Sequence, residues 1–161
     1  MAHFGNTNRD PHKSLVLFVV GDVHYAIGIS LVAELVSPLP VTPLPHTPPE
    51  ISGVADHRGD VIPVLDMRAH FALPPAPSTR STRWILVNTG TRLVGLVVDR
   101  VIDVIGSKSE DLRPTSSAGG RDVRGISTVT HHNGVLVFIL DVKRFTEIVE
   151  DIADILPPYE G

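Results

Sequence analysis

Eight histidines, several carboxylates and a scatter of serines supply the residue types for hydrolytic or metal chemistry. A histidine with Asp66 or Asp99 and Ser52 holds the parts of an acyl-transfer triad, in which an oriented base activates a hydroxyl. No G-x-S-x-G elbow exposes such a serine, and no glycine-rich loop is built to cradle phosphate. His131 and His132 are adjacent, so in extended backbone they point to opposite faces and cannot grip one ion. They read as an exposed loop pair. His57 and His70 share another span without a ligand pattern around them. Cysteine is absent, which excludes disulfides and thiolate zinc sites. The expectation is no catalytic residue, no cofactor and no metal. Arg58 is the most chemically pointed residue. Beside Gly59 in a turn, its planar guanidinium can take a partner's carboxylate in a bidentate grip, or pair with Asp56, Asp60 or Asp66 on its own sheet.

The elements that would carry these groups are short runs of Val, Ile and Leu between Gly, Asp, Asn and Pro, the pattern of an all-β barrel or sandwich. Leu15 to Val20 and Val23 to Ile29 flank Gly21-Asp22 as a hairpin. Val54 to Arg58 and Val61 to Asp66 flank Gly59-Asp60 as a second, with Pro63 marking an edge or a bulge because it cannot donate to a ladder. Arg83 to Asn88 and Thr91 to Val98 pair across Thr89-Gly90, and Val101 to Ile105 continues that meander. Val123 to Val129 and Val135 to Leu140 surround the turn at His131-His132-Asn133-Gly134. Asp141 then caps an amphipathic helix carrying Val142, Phe145, Ile148, Val149 and Ile152, which Pro157-Pro158 ends. Two proline-bearing loops, Pro38 to Pro49 and Pro74 to Pro77, separate the groups. The first serves as a stiff connection or as an extended ligand for an SH3 or WW domain.

At 161 residues, with 42% hydrophobic and 20% charged, the chain suits one globular domain with a real core. No apolar run approaches the roughly 20 residues of a membrane span. Met1 to Lys13 has no apolar stretch of signal-peptide type and reads as a disordered tail. A net charge of -4 with two Tyr and one Trp offers neither the basic field nor the stacking surface for nucleic acid. Protein partners, without nucleic acid or direct membrane insertion, are what remains.

Four segments in order resemble the CheW-like family. They are LVLFVVGDVHYAIGISLVAELV from Leu15, SGVADHRGDVIPVLDMR from Ser52, LVGLVVDRVIDVI from Leu93, and VRGISTVTHHNGVLVFILDVKRF from Val123. The resemblance implies two intertwined SH3-like five-stranded β-barrels in one CheW-like domain over 14–156, with a C-terminal α-helix and tails at 1–13 and 157–161. It implies a non-enzymatic adaptor, cytoplasmic and associated with membrane-proximal receptor arrays. Its partners would be the cytoplasmic tip of a chemoreceptor and the regulatory domain of a CheA-type histidine kinase. A paralogue serving a gliding, pilus or developmental pathway, or a competitor that binds the kinase alone, would have the same sequence features.

Residue by residue, the resemblance makes Val32, Glu34, Gly53 and Arg58 receptor-binding and places His57 and Val104 at a kinase or receptor interface. Val32 and Glu34 would share a groove face, with Leu31 and Leu35 turned away. A side chain at Gly53 would obstruct docking more than folding. Asp56-His57 stands where the family has Asn and an aliphatic or aromatic residue, so a titratable group lies beside the docking arginine.

Overall fold

The computed structural model describes residues 14–106, 113–114 and 125–157. The expected tail at 1–13, the strand residues Val123 and Arg124 and most of the C-terminal tail lie outside them. Eleven strands run β1 (Ser14–Val20), β2 (Val23–Gly28), β3 (Val32–Val36), β4 (Ile51–His57), β5 (Asp60–Asp66), β6 (Arg83–Asn88), β7 (Leu93–Val98), β8 (Arg100–Gly106), β9 (Arg113–Pro114), β10 (Ile126–His132) and β11 (Val135–Leu140). They form two sheets, ordered β8-β1-β2-β11-β10-β9 and β3-β6-β7-β5-β4. Among the described residues neither sheet closes on itself through paired strands, and the first has six strands, its last only two residues long.

The chain crosses between sheets twice. It leaves the six-stranded sheet after β2, builds all of the five-stranded one, and returns at β8, which pairs with β1. The meander expected through Val101 to Ile105 is therefore corrected. β8 belongs to the other sheet, and the break falls at Asp99, whose N–H donates to the Val19 carbonyl at 3.0 Å.

Alternation along the strands produces three apolar layers. Every residue of β1 is buried. Val16, Phe18 and Val20 join Ile85, Val87, Val94 and Leu96 of the other sheet in a central core. Leu15 and Leu17 face the other way, onto Ala26, Ile105, Val137 and Ile139. On the five-stranded sheet, Ala55, Ile62, Val64, Trp84 and Leu86 form the third layer, on the face turned from the central core. A sheet can bury both faces without a further layer only by curling around one of them.

The turns follow residue chemistry, with two shifts from the sequence reading. Of the two turn residues Gly21 and Asp22, only Gly21 has positive φ (63°), the pattern of a type II′ turn. In the second hairpin His57 pairs with Asp60, so the loop residues are Arg58 and Gly59 (φ 54° and 89°), one position earlier than Gly59-Asp60. Asn133-Gly134 forms the last tight turn (φ 50° and 79°), and His131 and His132 belong to β10 rather than to a loop. Pro63 lies in an interior strand. The β7 ladder begins only at Val64, so no bond is lost to its missing N–H on that side.

Two helices cover the ends of the central core. α1 (Met67–His70) is a single turn that periodicity is too short to reveal, started by the Asp66 carboxylate accepting from the Arg68 N–H at 2.9 Å. Phe71 after it stacks on Tyr25, centroids 4.3 Å apart. α2 (Lys143–Glu150) buries Phe145, Ile148 and Val149; its N-cap is Val142, one residue later than the expected Asp141, whose carboxylate accepts from the Lys143 N–H at 2.9 Å. It stops at Glu150, before the prolines, and a short 3-10 turn at Ala153–Ile155 follows.

The loop after β3 is neither a bare spacer nor a free ligand. Thr42 exchanges two backbone hydrogen bonds with Val54 of β4, at 2.8 and 2.9 Å. Gly53 sits beneath that crossing with φ 146°, just after the bulge between Ile51 and Gly53, and a Cβ there would lie 2.2 Å from the Thr42 carbonyl oxygen. The expectation that a side chain at Gly53 would obstruct docking more than folding is thereby corrected, because the obstruction is the protein's own backbone. Gly53→Ala should cost about 2 kcal/mol or more in urea unfolding, as overpacked backbone does. Gly134→Ala has open space around its Cβ and should cost about 1 kcal/mol, from its positive φ alone.

Candidate functional site

β3 and β4 are the two edges of the five-stranded sheet, three strands apart, yet their side chains meet. Glu34 on β3 accepts from Arg58 Nη2 at 2.8 Å through one carboxylate oxygen, and its other oxygen is 3.1 Å from His57 Nε2. The sheet is rolled far enough for opposite edges to touch, and a carboxylate joins them where no ladder does. The Thr42–Val54 bridge makes a backbone version of the same join further along β4.

The three groups differ in access. The Arg58 side chain is 75% exposed, Glu34 32% and His57 12%. Arg58 is presented outward by its turn while its charge is tethered from below. The ion pair Arg58 forms among the described residues is with Glu34, and not with the neighbouring aspartates that the sequence offers. Asp56 instead accepts from the Gly59 N–H at 2.9 Å and stabilises the turn. An exposed ion pair of this kind contributes little stability, about 0–1 kcal/mol, so it can be exchanged for a partner's carboxylate at small cost.

Val32 is half-buried and packs against the central core with Leu31 and Leu35. The ladder with β6 slips between Val32 and Glu34, so Val32 stands level with Val87 on the core face and Glu34 level with Leu86 on the other. The expected sharing of one face by Val32 and Glu34 fails for that reason. Val104 is 7% exposed and lies in the central core opposite Val16. The interface position assigned to it is corrected to a core position.

Arg92, in the loop joining β6 to β7, is a residue to which the sequence does not point. That loop leaves the sheet at the same end as the Arg58 turn, and Arg92 Nη1 is buried with no hydrogen-bond partner among the described residues. Nothing in the spacing around Thr89-Gly90-Thr91 signals this.

At the other end of the sheet, Ser52, Asp66 and Asp99 line one cavity of about 240 Å³ together with Arg68 and Trp84, and no histidine stands among its lining residues. Both carboxylates are engaged. Asp99 takes Arg68 in a two-point grip (Nε to Oδ1 3.0 Å, Nη2 to Oδ2 2.8 Å) and accepts from the Gly21 N–H at 2.7 Å. Arg68 also donates to the Pro74 carbonyl. Hydrogen bonding to Asp99 holds the Arg68 guanidinium above its ordinary pKa, against the opposing effect of burial. These groups are structural ties, with no free base beside Ser52.

A rolled five-stranded sheet and a second sheet around one core, with an arginine turned outward at the rim, are the architecture of a known family of scaffolding domains. The CheW-like domain model matches residues 14–150, and the chain belongs to that family. It is a chemotaxis coupling adaptor. It is 31% identical to the chemotaxis protein CheW of Helicobacter pylori over 144 residues, 88% of this chain and 87% of that one. Protein FrzA of Myxococcus xanthus is 31% identical over 124 residues, 77% and 78% of the two chains. The crystal structure of the scaffolding protein TtCheW from Thermoanaerobacter tengcongensis superposes with a TM-score of 0.73 at 27% identity, covering 80% of this chain and 88% of that one. Among the described residues no helix is long and apolar enough to cross a membrane.

Asp99→Asn should lower stability by about 2 kcal/mol in urea unfolding, the scale of hydrogen bonds to a charged group. As far as Arg68's own titration goes, the part of this tie owed to its charge is complete below the ordinary arginine range, because its pKa is raised. It is lost only as pH rises through the elevated value, so stability measured near neutrality should show no pH dependence from Arg68.

Proposed function

We propose that this adaptor, a non-enzyme, links the cytoplasmic tip of a chemoreceptor to the regulatory domain of a CheA-type histidine kinase, in cytoplasmic arrays beneath the membrane. The observation that carries the reading is Arg58, offered to solvent on a tight turn and held by Glu34 from the opposite edge of the sheet. A receptor carboxylate entering there replaces Glu34 as the arginine's partner. Glu34 and His57 set how readily the exchange occurs, and Gly53 and Val32 keep the surrounding backbone in place.

The finer architecture follows the same reading, with two intertwined SH3-like barrels, each curled around its own inner apolar layer. The inner layers and the Thr42–Val54 bridge support it. Interfaces of about 1,000 Å² and micromolar strength suit an array whose members exchange. The similarity to FrzA keeps open an output other than flagellar chemotaxis, and the genes adjoining this one distinguish the pathways.

Calorimetric titration against a receptor tip and, separately, a kinase regulatory domain tests the proposal. Arg58→Ala should weaken the receptor arm about tenfold, about 1.4 kcal/mol, and leave the kinase arm unchanged. Glu34→Gln should not weaken receptor binding, since the arginine is then freer. Kinase binding without any receptor binding would instead support a kinase-only competitor.

A further inference from the structure

The end of the five-stranded sheet away from Arg58 carries a second concentration of positive charge. Arg80, in the loop before β6, Arg83, the first residue of β6, and Arg100, the first of β8, share the wall of one cavity of about 360 Å³ with Leu35, Val36 and Val101. No Asp or Glu is among the lining residues. Arg83 Nη1 donates to the Arg80 and Thr82 carbonyls at 2.8 and 2.7 Å, which fixes its guanidinium without neutralising it. Arg80 and Arg100 are exposed, and neither side chain makes an ion pair or hydrogen bond among the described residues.

Three like charges around one cavity repel each other unless a counter-charge arrives. In a chain of net charge -4 such a counter-charge is not scarce. The carboxylate next in sequence to Arg100 is nevertheless unavailable, because both oxygens of Asp99 are committed to Arg68 and one of them also to Gly21. The guanidinium fork matches a carboxylate in two-point geometry. The aliphatic part of the wall suits a carboxylate carried on an alkyl stem better than a bare, fully hydrated anion.

We propose that this cavity docks an acidic segment of a protein partner, whose Asp or Glu carboxylates meet Arg80, Arg83 and Arg100 while their stems pack on Leu35, Val36 and Val101. Because its wall joins β3 and β6 of one sheet to β8 of the other, an occupant fastens the two sheets together. The site is separate from the Arg58 turn and stands whether or not that turn receives a receptor.

Fluorescence anisotropy of a labelled short all-glutamate peptide, with an all-glutamine peptide as control, tests this on the full chain. The expected result is binding of the acidic peptide alone, weakened about tenfold by each of Arg80→Gln and Arg100→Gln and unaffected by Arg58→Ala. Among the described residues neither Arg80 nor Arg100 uses its side chain in a hydrogen bond, so both variants should unfold at the parental urea midpoint. Undiminished binding in the double variant, equal binding of the glutamine peptide, or loss of binding in Arg58→Ala overturns the proposal. Displacement of the peptide by inorganic phosphate at equal concentration also overturns it, making the cavity a small-anion site.

Discussion

The return of the chain from one sheet to the other is the constraint on which the molecule depends, and the Asp99 carboxylate secures it. At the residue where β7 ends and β8 begins, that group grips Arg68 beyond β5 and the Gly21 amide in the β1–β2 turn. Its own amide reaches Val19 of β1. One side chain thus ties both sheets and α1 together at the margin of the central core. Two of the segments by which the family resemblance was recognised, ending in Asp66-Met67-Arg68 and running through Val98-Asp99-Arg100, meet here.

Against that fixed end, the opposite end of the five-stranded sheet is lightly joined. Glu34 bridges two edge strands through an exposed arginine and a mostly buried histidine, an arrangement of little intrinsic stability that orients Arg58. The contrast is physical. A charge gripped at two points and also bonded to backbone is costly to disturb, while a solvent-exposed pair can change partners. Backbone contact at Thr42–Val54 lets the rim keep its shape when the side chains exchange.

Much of this was legible in the residues. Alternating apolar runs and Gly- or Asn-bearing turns give the strands, and Arg58 beside Gly59 is visibly an arginine in a turn. What the sequence hides is pairing between distant segments. Val101 to Ile105 looks like the next strand of a meander because local pattern cannot say which sheet receives it. Val104 has the spacing of a core strand as well as of an interface, and only the β1 partner decides. The slip between Val32 and Glu34 leaves no compositional mark, so strict alternation puts them on one face. Local spacing offers Arg58 only nearby aspartates, whereas curling of the sheet brings Glu34 from 24 residues away.

The interleaving of the two sheets also dictates an order of assembly. β1 and β2 are made first, but their flanking partners, β8 and β11, are the products of the second half of the chain. Two faces of β1, apolar but for Ser14 at its start, therefore wait uncovered while the five-stranded sheet is synthesised. The five-stranded sheet is one continuous stretch from β3 to β7, but the six-stranded sheet is not, so cutting the chain between β7 and β8 parts β1 and β2 from the strands that flank them. Contacts so distant in sequence make for slow folding. A nascent chain of this kind holds its earliest strand without its final neighbours until its last strands emerge.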